Sequence, residues 1–235
     1  MTFPPRFYRI AAVCSIVSAL TTLLLIFLPE WYAAGEGFEA RMARVTDPAY
    51  RLRSWVYLFH PFLTWTAALA VAMRFRREAA ALVIPGLAGF SVWALTEAGQ
   101  QTLTLMVFDN WRVAYLAGDE AVRATMTLRT AIYDGLWDGM YFLLLIAFLI
   151  GNVLFAIAMW RLPRLARVLA VLYVGAAALT LMILIGELKG PTLPESVGFW
   201  VYPAIQPLAR ALIGVWLWRH ADENQRFMDI RPTVR

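Results

Sequence analysis

The chain has 235 residues, of which 61% are hydrophobic and 16% charged, with a formal charge of +5. Soluble domains run at about half apolar and about a quarter charged, so membrane lipid is the expected solvent. In a membrane protein the position of each arginine matters more than the sum, so the charge does not argue for nucleic acid as a partner, and a lone Cys14 allows no intrachain disulfide.

Crossing a hydrocarbon core of about 30 Å takes about 20 helical residues. The first run that qualifies, Ile10 to Leu28, follows Arg6 and Arg9 as a signal peptide would. Its apolar region exceeds the roughly 7 to 15 residues of such a segment and no small-residue cleavage site follows, so a retained helix is expected. Pro29 to Ser54 then carries Trp31 and Tyr32 beside a charged, alanine-containing stretch, which predicts a helix lying at the headgroup level. The second span runs from Trp55 to Met73, and an arginine turn leads to the third, Ala80 to Val107. A second surface helix is expected from Gly118 to Thr130, followed by spans at Trp137 to Trp160, Val168 to Leu188 and Phe199 to Trp218. The expected architecture is a single all-α transmembrane domain of six helices.

Orientation follows from the lysines and arginines flanking the spans. Arg6, Arg9, Arg74, Arg76, Arg77, Arg161, Arg164, Arg167, Arg219, Arg226, Arg231 and Arg235 all fall on one side, opposed there by Glu78, Asp222, Glu223 and Asp229. That side, with both termini, is expected in the cytoplasm. The opposite loops balance their charges and are expected to face outward. A weak internal repeat accompanies this arrangement. Ala70 to Met73, an arginine turn, a small-residue helix and Glu97 are echoed by Ala156 to Met159, another such turn and helix, and Glu187. Parallel repeats of this kind place transporter binding sites between their halves.

Polar groups inside spans are costly and normally face a protein interior or a wet cavity. Four helices offer such groups at similar depth in the outer half. Helical spacing aligns His60 with Thr64, Trp93 with Glu97 and Gln101, Asp134 with Asp138 and Tyr141, and Tyr202 with Gln206 and Arg210. His60, Trp93, Glu97, Gln101, Asp134, Asp138, Tyr141, Tyr202, Gln206 and Arg210 are therefore the candidate ligand-binding residues of an outward-facing pocket. Trp55, Trp65 and Trp137 are further candidate walls, and Pro61, Pro203 and Pro207 free helix carbonyls beside it. Glu97 with Arg210 would serve equally as a structural ion pair.

Three functions fit these residues. The first is binding or transport of a small, cationic or amphiphilic solute, with Glu97, Asp134 and Asp138 supplying charge. The second is an intramembrane enzyme acting on a lipid, with His60 and a carboxylate as acid and base. The third is an accessory subunit whose polar cluster only specifies packing. No metal or cofactor is expected, because His60 lacks other histidines at ligand spacing and no nucleotide-binding or hydrolase motif occurs in its required context. Membrane lipids are the expected surroundings, and oligomeric state stays open. The stretch Asp138-Gly139-Met140-Tyr141-Phe142 through Gly151-Asn152 to Arg161, with Tyr202-Pro203 through Gln206-Pro207-Leu208-Ala209-Arg210, resembles uncharacterised bacterial six-helix membrane proteins. That resemblance implies the six-helix topology and a bacterial inner membrane, and it carries no activity.

Overall fold

A computed structural model describes residues 3–32, 35–160, 165–192, 194 and 197–229. Expectations resting on Arg161, Arg164, Glu195, the side chain of Tyr202 and the side chains beyond Ala221 lie outside those described residues. Among the described residues the fold is helical without strands: α1 (Pro5–Phe27), α2 (Gly37–Ala43), α3 (Pro48–Phe75), α4 (Ala80–Leu103), α5 (Asp109–Ala117), α6 (Glu120–Trp160), α7 (Leu165–Glu187) and α8 (Tyr202–Asp229). Five segments are long and apolar enough to cross a membrane: Pro5–Trp31, Pro48–Phe75, Ala80–Ala117, Glu120–Trp160 and Ala166–Glu187. The chain is an integral membrane protein by that measure. The sixth predicted span falls in α8, which is not one of the five but takes the sixth place in the bundle.

Local chemistry sets the boundaries. Pro5 and Pro48 open α1 and α3 where a missing N–H costs nothing, and Asp47 caps α3 by accepting from the N–H of Ala49 at 2.8 Å and of Tyr50 at 3.2 Å. The predicted headgroup helix appears as the short α2 between two 3₁₀ turns, Leu28–Trp31 and Arg44–Thr46. Two expectations change. The third run does not continue as one helix, because a π-helical turn over Thr104–Phe108 separates α4 from α5. There the Thr104 hydroxyl donates to the Gln100 carbonyl at 2.9 Å and competes with the backbone ladder. The expected surface helix from Gly118 is instead the first part of α6, whose 41 residues hold no proline to break them.

The six long helices form a ring in the order α1, α3, α4, α6, α7, α8, with α8 closing back on α1. At one end of the ring the Tyr8 ring meets His220 at 5.1 Å and Arg74 reaches His220 at 3.4 Å, so the start of α1 and the ends of α3 and α8 lie together. This is the basic end. Over the opposite end sit α2, α5 and the start of α6, joined by a small core of Met42, Tyr115 and Met126. We call this the capped end. The α3–α4 and α6–α7 hairpins both turn at the basic end, but Glu97 is buried whereas Glu187 is exposed at the end of α7.

Packing follows the rules of a lipid solvent, in which apolar bulk has no reason to turn inward. The inner face of α1 carries Ala11, Ala12, Ser15, Ser18, Ala19 and Thr22, while Ile10 and Leu20 are 61% and 57% exposed. Small residues let the backbones close. A Cβ on Gly89 of α4 would lie 2.8 Å from the Ala147 carbonyl oxygen of α6, and one on Gly214 of α8 would lie 2.9 Å from that of Ala12 in α1. Gly89→Val is therefore expected to push α4 from α6 and lower stability by about 1–3 kcal/mol. Thermal unfolding of the purified protein in detergent checks this, with Gly99→Ala, at open space, as the silent control.

Candidate functional site

The ring encloses a cavity of about 590 Å³ that runs from Arg210, about two turns into α8, to the helices of the capped end. Eight of the ten predicted residues line it: His60, Trp93, Glu97, Gln101, Asp134, Tyr141, Gln206 and Arg210. Tyr202 has no described side chain. Asp138 is a correction, being exposed and absent from the lining. The lining positions of α6 are Tyr133, Asp134, Trp137, Tyr141, Leu144, Leu145 and Phe148. At 3.6 residues per turn a step of four overshoots by about 40°, which carries Asp138 past the edge of that face. Of the candidate walls, Trp93 and Trp137 line the cavity, whereas Trp55 stacks outside on Phe59 and Trp65 donates to the Ser91 hydroxyl at 2.8 Å. Pro203 also reads differently, because it is the second residue of α8, whereas Pro61 and Pro207 do interrupt a helix interior, as does Pro85 in α4.

At the floor, Arg210 ties three helices. Its guanidinium donates to the Thr22 hydroxyl of α1 and to His60 Nε2 of α3, and its backbone carbonyl accepts from Ser15 at 2.6 Å. Arginine offers no acceptor, so Nε2 must accept, and Nδ1 carries the proton of a neutral ring toward Thr21 at 2.7 Å. Below this floor Ser15, Ser18, Thr64, Asn152 and Gln206 border a second void of about 30 Å³, enough for one water.

The middle of the cavity holds polar groups that face its open space. Trp93 hydrogen-bonds Glu97, and Gln100 donates to the Trp137 carbonyl at 3.1 Å. Gln101 and Gln206 are only 6% and 7% exposed, yet their amides hydrogen-bond no other described residue. Neither amide is sealed off from the cavity, so water or a ligand there can bond both.

The mouth is built from residues that sequence spacing does not bring together. Arg41 of α2 grips Asp134 of α6 with two hydrogen bonds, one of 2.8 Å, and that bond to Asp134 holds the guanidinium above its ordinary pKa. Arg112 of α5 pairs with Asp109 at 3.0 Å and is 4% exposed. Its guanidinium carbon lies 4.2 Å from the Phe108 ring centre and 4.7 Å from that of Tyr50, while Arg41 approaches the same Phe108 ring at 5.3 Å. Phe108 stacks on Tyr133 at 4.3 Å, and the Tyr133 hydroxyl meets Thr104 at 2.7 Å, so the π-helical turn aims both Thr104 and Phe108 inward. Arg53 of α3 donates to the Leu25 carbonyl at 3.0 Å, satisfying the last turn of α1, and lies 5.0 Å from the Tyr57 ring. In sequence these arginines served only as loop charges in the topology balance. The Asp109-x-x-Arg112 spacing was the one local signal of a paired site.

Comparison with known proteins adds no relative. No family model, no curated protein and no solved structure matches this chain.

Proposed function

We propose that this is a six-span protein of the bacterial inner membrane, with both termini in the cytoplasm and the cavity opening outward, that binds or moves a small amphiphilic solute. The observation that carries the reading is the pair of amides, Gln101 and Gln206, that face a cavity large enough for a ligand without a hydrogen-bond partner among the described residues. A site that only specified helix packing would satisfy its own polar groups. Charge argues against a cation. Four arginines line the cavity against two carboxylates, Glu97 and Asp134. The enzyme alternative is weakened by His60, whose only free lone pair is taken by Arg210, so it has no base to offer while that bond stands.

Thermal stability in detergent tests the reading across a panel of lipids, choline, spermidine and metal ions, for wild type and Glu97→Gln. A binding protein is expected to gain stability with one member of the panel and to lose that gain in Glu97→Gln. A panel that shifts nothing, with a substitution that merely lowers the melting temperature, would instead make the cavity a packing device.

A further inference from the structure

The mouth of the cavity has the composition of an anion site. We propose that it takes the phosphate of a glycerophosphate-type headgroup, held between Arg53 and Arg112, with the headgroup hydroxyls bonded by Gln101 and Gln206. The inference rests on the ligand-binding reading above and gives it a chemical class.

Three observations carry it. The first is an excess of donors. Arg41 is engaged by Asp134, but Arg53 has a carbonyl and a ring as partners and no carboxylate among the described residues. Arg112 bonds Asp109 and the Tyr50 hydroxyl and keeps its Nε buried without a hydrogen bond. A guanidinium has five N–H groups in a planar fork, the geometry that suits a phosphate's oxygens. The second is pre-organisation. The Tyr50, Tyr57 and Phe108 rings support the two guanidinium groups from the side, so little side-chain freedom is left to lose on binding.

The third observation is depth. The exposed Trp160 marks the boundary of the hydrocarbon at the basic end. At 1.5 Å per residue, Arg53 stands about 33 Å along α3 from Phe75, and Asp134 about 39 Å along α6 from Trp160. A core of about 30 Å within a bilayer of about 40–45 Å puts both at the level of the far leaflet's headgroups. By the same measure Gln101 stands about 32 Å along α4 from Ala80, level with Arg53, and Gln206 about 21 Å along α8 from His220, deeper in the cavity.

The test uses the full chain in neutral detergent and follows its melting temperature with phosphatidylglycerol, with soluble glycerol 3-phosphate, and with phosphatidylcholine and choline as controls. Phosphatidylglycerol is expected to raise it by about 5 °C or more at saturation, and phosphatidylcholine to leave it unchanged. Arg53→Gln, which gives up the bond to the Leu25 carbonyl, and the charge-balanced Asp109→Asn/Arg112→Gln pair are each expected to melt slightly below wild type without ligand and, measured against their own unliganded values, to bind about tenfold or more weakly. If glycerol 3-phosphate matches the lipid, the phosphate chemistry stands and its source is a free solute. A phosphatidylglycerol shift that survives both variants overturns the site. A shift by choline or phosphatidylcholine alone overturns the anion while leaving the ligand-binding reading in place. No shift from any probe, here and across the wider panel, overturns both.

Discussion

Replacing Arg210 by Leu is expected to give the largest loss of stability of any single substitution in the bundle. The side chain is 8% exposed and joins α8 to Thr22 of α1 and His60 of α3. Leucine would leave the His60 Nε2 lone pair without its donor and hand the Thr22 hydroxyl back to its helix, where Oγ1 still donates to the Ser18 carbonyl at 2.7 Å. Breaking a buried network of this kind costs about 3–5 kcal/mol. The coupling can be isolated. His60→Phe fills the space and needs no donor, so in that background Arg210→Leu is expected to cost substantially less. A double-mutant cycle on the melting temperature measures the difference, and equal costs in both backgrounds would show that the pair is not coupled.

The second large effect is expected at the mouth. Asp109→Asn preserves shape and removes the carboxylate that neutralises Arg112, whose side chain is 4% exposed. An uncompensated buried guanidinium again costs about 3–5 kcal/mol, and the capped end should loosen first because α5 holds α2 through Met42 and Tyr115. Adding Arg112→Gln is expected to recover most of the loss, since an amide pair needs no counter-charge. Hydrogen exchange at α2 and α5 distinguishes local loosening from global unfolding. If the paired variant is no more stable than Asp109→Asn alone, the charge of Arg112 is not the cause.

What the sequence made legible was whatever depends on one helix at a time. Hydropathy located the long helices to within a few residues at most ends, as with Ala80 and Trp160. The stripe of Trp93, Glu97 and Gln101 was visible because a helix places residues four apart on one face, and all three do line the cavity. The same rule failed for Asp138, where the rotation per step fell on the wrong side of an edge set by the neighbours α4, α5 and α7. Arg41 could not be read at all, since its partner Asp134 lies 93 residues away and meets it only once α2 folds over the ring. Arg53 and Arg112 were hidden for a different reason: counting them as loop charges discarded the aromatic rings that hold them. The π-helical turn had no sequence signature beyond a threonine able to bond its own helix.

The close fit of small residues on the inner faces inverts the usual map of mutational tolerance. In a water-soluble protein the leucines and isoleucines are the positions where substitutions do harm, and the alanines and glycines of exposed helices absorb change freely. In this chain Leu20 and Leu95 face outward at 57% and 67% exposure and should exchange with any apolar residue. Ala11, Ala70, Ala72 and Gly89 are the positions where one added methyl group is felt. A library selected for folding would therefore show its strictest positions among the residues that hydropathy scales rank as least distinctive, and its drift would concentrate in the side chains that made the spans recognisable.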